Sequence, residues 1–526
     1  MNRRFLRSSI FKTALLLGAM VASGPLRALT IIHTNDVLGE LEPCGCRSNP
    51  LGGMARQFNL LKRLKDQSLI LLDGGDLLFA QIDTPPVLKK QSELQAQFLV
   101  QAMDKVHYDA SVPGEKDFSL GLKVFEKLAK SAHFQFLAAN LRKKSGGTFL
   151  KSHLIIERPP EGGAGGKPIK VGVFGLVGRD LKFPKELSVT DPLTSARAEV
   201  AALRKKVDYV IALTHEGFDA DKILAEKVSG IDLVIGGHSQ SFLQTPITVK
   251  STLVFQSSFR NQYVGEIPLS LPLKTDSYTL AGLDAGYDSP AELPSEMDDL
   301  VKSFKGAIAQ LNSAEAASEE LAVTPKNTKI SFQTFPRCAE CHLKQFDFWR
   351  KTAHANALTP LVDKEQLANK ECLTCHSVGL GDKAGYKDVT KLAQTKDLDD
   401  TEGPEKTLPV PELVEYLKQI HGAAALKSLI KVRTSDTAPA TVRRTLGSLA
   451  KSWAPVQCEN CHAPGNEHPF TGSYSKVVQT SSCLQCHTAE RAPEWWSNGQ
   501  PNAKLIEAKR AMVTCPAGEL NETETE

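Results

Sequence analysis

The chain lacks a charge excess: 63 lysines and arginines stand against 60 acids over 526 residues, a formal net charge of +3. Residues 1–28 carry five basic groups and no acid, so their removal takes +3 to −2. That leaves no basic surface of the kind a phosphate backbone requires, which excludes a nucleic-acid partner. Membrane-length apolar runs are lacking too. The one sustained run, residues 13–22, falls well short of the roughly 20 residues that a span needs, and no second one follows. Arg3, Arg4, Arg7 and Lys12 precede it and Ala28 offers a cleavage point, so residues 1–28 are expected to form a signal peptide. The adjacent arginines lack a full twin-arginine context. The expectation is export to the periplasm by the general route, with an uncleaved membrane anchor as the less favoured alternative. At 41 % hydrophobic and 23 % charged, the composition has no disordered bulk. The length exceeds one core, so two or three domains are expected.

From about residue 328 a third absence begins: long apolar runs stop for some 200 residues. What that stretch holds instead is the pattern Cys-x-x-Cys-His, four times: Cys338/Cys341/His342, Cys372/Cys375/His376, Cys458/Cys461/His462 and Cys483/Cys486/His487. Two thiols three apart can each add to one haem vinyl group, and the adjacent imidazole then faces the iron as proximal ligand. Composition alone gives roughly 0.006 chance occurrences of such a motif. Zinc-binding Cys-x-x-Cys pairs would leave all four histidines as coincidences. Four covalently bound haem c groups are therefore expected, forming much of the core of a mostly α, loop-rich domain over 328–526. Eight of the 11 cysteines are so used, leaving Cys44, Cys46 and Cys515.

Beyond the proximal histidines this domain has only His354, His421 and His468, each among small residues that would let a ring approach a haem face. They are the candidate distal ligands, with Met512 as a substitute. Three candidates for four irons leave one haem open, or served by His107, His133 or His153 of the preceding region. The run from Cys458 to His468, Cys-x-x-Cys-His-x-Pro-Gly-x-x-His, and the block from Trp349 to His354 resemble the tetrahaem cytochrome c family of ammonia oxidisers over roughly 330–490. The resemblance implies three bis-histidine haems, one open site and closely stacked haems passing single electrons.

Residues 29–282 read differently. Continuous apolar runs at 30–33, 69–72, 110–112, 134–138, 170–176, 209–213, 233–235, 253–256 and 263–271 are expected to be strands covered on both faces. Helices are expected over 92–106, with Ser92 and Gln95 as capping box, and over 194–205. The region is α/β, and 283–327 reads as a linker carrying a surface helix over 296–311. Five strands end in metal-capable groups: Asp36 in the first, Asp76 in the second, then Glu115, His215 and His238. Ligand sites of α/β sheets form outside the carboxyl ends of strands, so these groups could converge. Carboxylate and imidazole together suit Mn, Fe or Zn.

The segments around Asp36, Gly75-Asp76, Gly114-Glu115-Lys116-Asp117, His215 and Gly237-His238 resemble the 5′-nucleotidase/calcineurin-like metallophosphoesterase family over about 29–275. This implies a four-layer α/β/β/α sandwich with a dinuclear site, in which Asp76 bridges, Asp36 serves one ion and His215 and His238 serve the other. The departures are specific. Leu38 stands where the family has histidine, Glu115 replaces its asparagine ligand, Lys116 its assisting histidine and Gln240 its last histidine. One ion keeps Asp36, Asp76 and a weak Gln240; the other keeps Asp76, Glu115, His215 and His238. Lys116 could bind an anion as a point charge. The block Pro43-Cys44-Gly45-Cys46-Arg47 resembles an exported cysteine- or selenocysteine-bearing offshoot of that family, and its thiolates could bind a soft metal or act in redox chemistry. The same fold hosts the periplasmic thiosulfohydrolase of sulfur oxidation, which makes sulfur substrates conceivable by analogy.

The expected function is single-electron transfer by a periplasmic tetrahaem cytochrome. It would be coupled to a degenerate phosphoesterase-like domain that holds a metal or small anion, with periplasmic redox proteins as partners. An open haem could act on a small nitrogen or sulfur compound. The alternative is a metal-dependent phosphate or sulfate ester hydrolase with an accessory haem domain.

Overall fold

The computed structural model describes residues 29–43, 50–159, 167–269, 273, 275–319, 331–396, 404–423, 431–434, 442–445, 448–466, 478–489, 491–497 and 499–516. The expected signal peptide, Cys44, Cys46 and His468 lie outside the described residues.

The first region begins β1 (Leu29–Thr34), α1 (Met54–Arg63), β2 (Ser68–Asp73), α2 (Lys89–Lys105), β3 (Ala110–Ser111), α3 (Leu122–Ser131), β4 (Gln135–Phe136), β5 (Leu141–Lys143), β6 (His153–Arg158) and β7 (Ile169–Val177). It continues β8 (Leu187–Val189), α4 (Pro192–Leu203), β9 (Tyr209–His215), α5 (Phe218–Lys227), β10 (Leu233–Gly236), β11 (Ile247–Val249), β12 (Thr252–Phe255), β13 (Tyr263–Pro268), β14 (Thr279–Gly282) and α6 (Glu296–Glu319). Two six-stranded sheets result, in the orders β14-β13-β1-β2-β3-β4 and β11-β12-β10-β9-β7-β6. Strands β1 to β4 are mutually parallel, as are β7, β9, β10 and β12.

Side-chain alternation sorts the second sheet into two layers. Val171, Val173, Ile211, Leu213, Leu233 and Ile235 join the core shared with the first sheet. Their neighbours Phe174, Leu176, Val210, Ala212 and Val234 pack instead under α4 and α5, on Val200, Leu203 and Leu224. Helices α1, α2 and α3 bury Phe58, Leu99, Met103 and Phe125 in the core shared with the first sheet. The architecture is the α/β/β/α sandwich implied by the resemblance.

Helix α2 starts at Lys89, ahead of Ser92, and Gln95 donates from Nε2 to the Gly39 carbonyl (2.8 Å) instead of closing a capping box. Helix α4 starts earlier than expected because Asp191 accepts the Thr194 amide (2.7 Å) with Pro192 in the first turn. Helix α6 runs on to Glu319 and is not a free surface element. Met297, Phe304 and Ile308 are buried in the first core, with the Phe304 and Phe98 rings 5.5 Å apart.

The C-terminal region is built of short helices, five to thirteen residues long, with a three-stranded sheet of 393–395, 406–407 and 449–452. Its apolar core gathers residues from many short segments, among them Phe335, Trp349, Leu373, Leu417 and Trp453. The helix Lys370–His376, which carries the second motif, abuts the first region. Gln91 donates to its cap residue Asn369 (2.6 Å) and accepts the Lys370 amide (2.9 Å), while buried Lys370 pairs with Glu315 at 2.6 Å.

Candidate metal centre and haem-binding motifs

The loops leaving β1, β2, β3, β9 and β10 meet at one edge of the sandwich, and they carry Asp36, Asp76, Glu115, His215 and His238. Their backbones are unusual. Asp36, Leu38, Asp76, His238 and Gln240 all hold φ between 50° and 69°, a region that side chains other than glycine, asparagine and aspartate seldom occupy. Such a concentration of strained residues is a mark of functional loops. Closeness is enforced as well: a Cβ on Gly75 would lie 2.7 Å from His215 Nδ1, and one on Gly114 would lie 2.1 Å from Asp76 Oδ1.

Asp36, Asp76 and His215 are fully buried and Glu115 is 5 % exposed. His215 Nε2 lies 3.4 Å from Asp76 Oδ2 and 3.3 Å from Glu115 Oε2, and His238 Nδ1 lies 3.4 Å from Glu115 Oε1. Two potential ligand triads result, Glu115/His215/His238 and Asp36/Asp76/His215, with ligand atoms within 4.8 Å of one another in each. His215 Nδ1 lies 2.7 Å from the Gly74 carbonyl, a pure acceptor, so Nδ1 carries the hydrogen and Nε2 is the ligating atom.

The donor atoms themselves test for a cation. Asp36 Oδ1, Glu115 Oε2, His215 Nε2 and His238 Nδ1 are buried without an aligned hydrogen bond. A native interior seldom leaves so many acceptors together unless another group satisfies them. These residues fit one divalent ion. Asp36 Oδ2, by contrast, accepts from Asn35 Nδ2 (2.8 Å) and the His238 amide (3.0 Å).

Lys116 is turned inward. Its Nζ lies 2.8 Å from Asp76 Oδ2 and its amide donates to Asp76 Oδ1 (2.9 Å), so its charge is directed at a carboxylate of the site. Burial disfavours charge on every member of the cluster, and mutual attraction overrides it for most. His215 and Lys116 hold Asp76 below the usual carboxylate range, and His215 and His238 do the same for Glu115. Lys116 is raised by Asp76, Asp36 and Glu115. Asp36 is pushed up to about 6, chiefly by burial.

Two supporting residues escaped sequence reasoning. Asn35 binds the Ser257 amide and hydroxyl through Oδ1 (2.6 and 2.8 Å), tying the end of β1 to the loop after β12. Asp117 accepts the Leu78 and Gly114 amides (2.7 and 2.8 Å) and so fixes the loop that presents Glu115. Its only sequence signal was its place in the Gly114–Asp117 block. Leu38 is buried and donates its amide to the Asp76 carbonyl (2.9 Å), offering no ligand atom. Gln240, half-buried, follows His238 in the same loop.

The haem-attachment motifs come together: the helix ending at Cys338 packs on the helix Cys458–His462, which also meets the helix carrying Cys483, and Cys486 Sγ lies 3.9 Å from the Cys375 carbonyl oxygen. Cys341 is exposed, whereas Cys338, Cys372, Cys375, Cys458, Cys461, Cys483 and Cys486 are half-buried. The reason is local: the helix Thr334–Cys338 ends on the first cysteine of the motif, and Cys341 falls in the turn beyond it, its amide 3.3 Å from the Cys338 carbonyl. The first motif therefore sits at the rim of the region.

The third motif is anchored by buried Glu459, whose carboxylate accepts the amides of Gln333 (3.0 Å), Thr334 (2.7 Å) and Gly465 (2.6 Å). Among the proximal histidines, His376 donates from Nδ1 to the Ala357 carbonyl, leaving Nε2 for a metal. Among the distal candidates, His421 does the same to the Arg350 carbonyl at 2.7 Å. The His354 and His487 rings meet edge-on, their centroids 6.5 Å apart and their planes 61° apart, and His487 stacks on Trp495 at 4.1 Å. Met512 is 69 % exposed.

Comparison with known proteins agrees with this division. The profile of the family Cytochrome c554 and c-prime matches residues 337–400. Human 5′-nucleotidase is 34 % identical over 241 residues, covering 41 % of this chain and 39 % of that protein. The snake venom 5′-nucleotidase of Gloydius brevicauda is 33 % identical over 244 residues, covering 43 % and 39 %. The chain thus spans about two fifths of the length of these relatives. Among solved structures, the Thermus thermophilus sulfate thiohydrolase SoxB in complex with glycerol aligns with TM-score 0.45 and 17 % identity, over 54 % of this chain and 61 % of that one. A 5′-nucleotidase precursor from Thermus thermophilus aligns with TM-score 0.44 and 20 % identity, over 64 % and 68 %. The chain joins an N-terminal domain homologous to the corresponding part of the 5′-nucleotidases to a C-terminal region in which residues 337–400 match the Cytochrome c554 and c-prime family.

Proposed function

We propose that the protein is an exported tetrahaem c-type cytochrome that transfers single electrons, coupled to a phosphoesterase-type domain that holds one divalent metal ion. The periplasm is its compartment and other periplasmic redox proteins are its partners. Among the described residues no helix is long and apolar enough to cross a membrane. The observation that carries it is the convergence of the four Cys-x-x-Cys-His motifs in one region, with Cys486 Sγ 3.9 Å from the Cys375 carbonyl and the His354 and His487 rings 6.5 Å apart. Bound haem supplies one-electron chemistry; the chain's residues hold it and set its ligation. His342, His376, His462 and His487 are the proximal ligands. His354 serves the His487 iron, and His421 and His468 serve two of the others. One iron then stays open to a small nitrogen or sulfur compound.

A pyridine haemochrome assay should return four haems per chain, and a ratio near two would defeat the reading. Carbon monoxide added to the reduced protein should shift one haem. In His354→Ala it should shift two, with the second haem turning high-spin; an unchanged count would remove His354 from the ligand set.

A second reading rests on the Glu115/His215/His238 cluster: a metal-dependent hydrolase of phosphate or sulfate esters, with the haems as accessory. Leu38 and the inward-turned Lys116 weaken the charge clamp that ester hydrolysis needs. Turnover of generic phosphate esters with Mn²⁺, abolished in Asp76→Ala, would establish this second reading over the first.

A further inference from the structure

The two ligand triads of the first domain cannot both be filled. They share His215, whose Nδ1 is committed to the Gly74 carbonyl (2.7 Å). When an ion is bound the imidazole is neutral and has one lone pair left, on Nε2, and that pair binds one ion. Glu115 and His238 complete the set on one side, with His238 Nδ1 3.4 Å from Glu115 Oε1. On the other side Leu38 is buried and offers no ligand atom. Yet Asp36 and Asp76 remain there, two buried carboxylates with a balance of negative charge that a folded interior does not leave unanswered.

Lys116 supplies the answer. Its side chain is only 14 % exposed, its Nζ lies 2.8 Å from Asp76 Oδ2, and its amide donates to the other oxygen of the same carboxylate (2.9 Å). An ammonium is a compact point charge that donates in three directions. Resting on the metal-binding reading above, we propose that Lys116 Nζ is a built-in cation that takes the place of a second metal ion at Asp76. The domain is then a one-metal site with ligands Glu115, His215, His238 and Asp76. The substitutions at positions 38 and 116 become one coupled change: losing a ligand at 38 weakens the second ion, and a lysine at 116 answers the charge of Asp76. A site of this kind binds a single small anionic group against one metal and keeps its charge balance without a second ion.

The test is a metal count on the full-length holoprotein, stripped with chelator and reloaded with Mn²⁺. Manganese is counted per chain, and manganese electron paramagnetic resonance is recorded on the reduced protein. The wild type should take one Mn²⁺ and give a mononuclear six-line spectrum. Leu38→His alone should still take one, because Lys116 holds the second position. Leu38→His/Lys116→Ala should take two and give an exchange-coupled spectrum. A wild type that binds two ions, a single Leu38→His variant that binds two, or a double variant that stays at one would each overturn the proposal. A wild type that binds none defeats the metal-binding reading itself, which keeps the two failures apart. Thermal melting and haem content, measured on each variant, identify any that misfolds, and the wild-type count and spectrum decide without it.

Discussion

The two halves of the chain are held together in different ways. The first region encloses its own core: β1, β7, β9 and β10 are almost wholly buried, and their residues alternate between two packed layers. The C-terminal region has helices of five residues at three of its four haem motifs, or just ahead of them, and seven at the other. Helices that short do not persist through propensity alone. They pack on the apolar cluster of Phe335, Trp349, Leu373 and Trp453, and the proposed haems would complete that core. A domain that closes on hydrocarbon can be carried by sequence pattern, whereas one that closes on a cofactor needs the cofactor to finish its fold.

The strongest way to break that comparison is to withhold haem. Expressed without cytochrome maturation, the chain should keep a cooperatively melting first region. Amide exchange over 331–516 should accelerate by roughly a thousandfold where backbone is now protected. Comparable protection in both halves would mean that the C-terminal core, from Phe335 to Trp453, suffices alone.

Next in size is the helix that bridges the halves. If α6 belongs to the first core, Phe304→Ala should cost about 3–5 kcal/mol, as other buried phenylalanine truncations do, lowering the melting temperature of the first region by about 10 °C. Lys105→Ala, which removes the exposed pair with Glu296 at 2.7 Å, should not shift it measurably. Equal effects would return α6 to the status of a linker.

The same contrast explains what was legible in the sequence. Runs such as Ile31-Ile32 and residues 170–176 announced their strands because both faces are covered. Edge strands did not: β11 shows exposed Ile247 and Thr248, and β14 is at most half-buried, so neither has the apolar continuity that marks a central strand. Helices α1, α3 and α5 went unread because their apolar positions are spaced among charges and their starts, Gly53, Gly121 and Gly217, lack a capping side chain. At the site, residue types at strand ends were enough to assemble Asp36, Asp76, Glu115, His215 and His238. The direction of the Lys116 side chain was not readable. Whether a lysine faces solvent or a carboxylate depends on a fold-level approach between two loops, and the sequence reading had it serving an outside anion. The exposure of Cys341 was hidden for a similar reason: a motif's spacing names its two thiols but not which of them falls beyond a helix end.

The smallest expected effect sharpens the account of the first core by way of pH. Asp73 closes β2 and accepts from Thr34 Oγ1 (2.8 Å), the Gly75 amide (3.0 Å) and Ser111 Oγ (3.0 Å). Burial still dominates and pushes its carboxyl up to about 7. A carboxyl raised above its unfolded value favours folding in its protonated form. Its contribution is complete below about pH 4 and is lost as pH climbs through about 7. Buried His33 works in the opposite direction. Its value is lowered by burial to about 3, so it contributes above about pH 6.5 and loses that contribution as pH falls towards 3. Between pH 5 and 7 the two slopes oppose, but burial also raises Asp117 and Glu216 to about 8 and Asp221 to about 6, so the wild-type melting temperature should fall as pH rises. Asp73→Asn keeps a neutral acceptor for Gly75 and Ser111 and removes only the titration. Its stability should therefore rise relative to wild type by about 2 kcal/mol from pH 5 to pH 7, read by calorimetry as a gap between the two melting curves that widens by about 4–8 °C. Parallel curves would show that Asp73 is ionised in the fold at neutral pH, its three donors outweighing burial, and that the first core tolerates an internal negative charge one turn of chain away from its metal ligands.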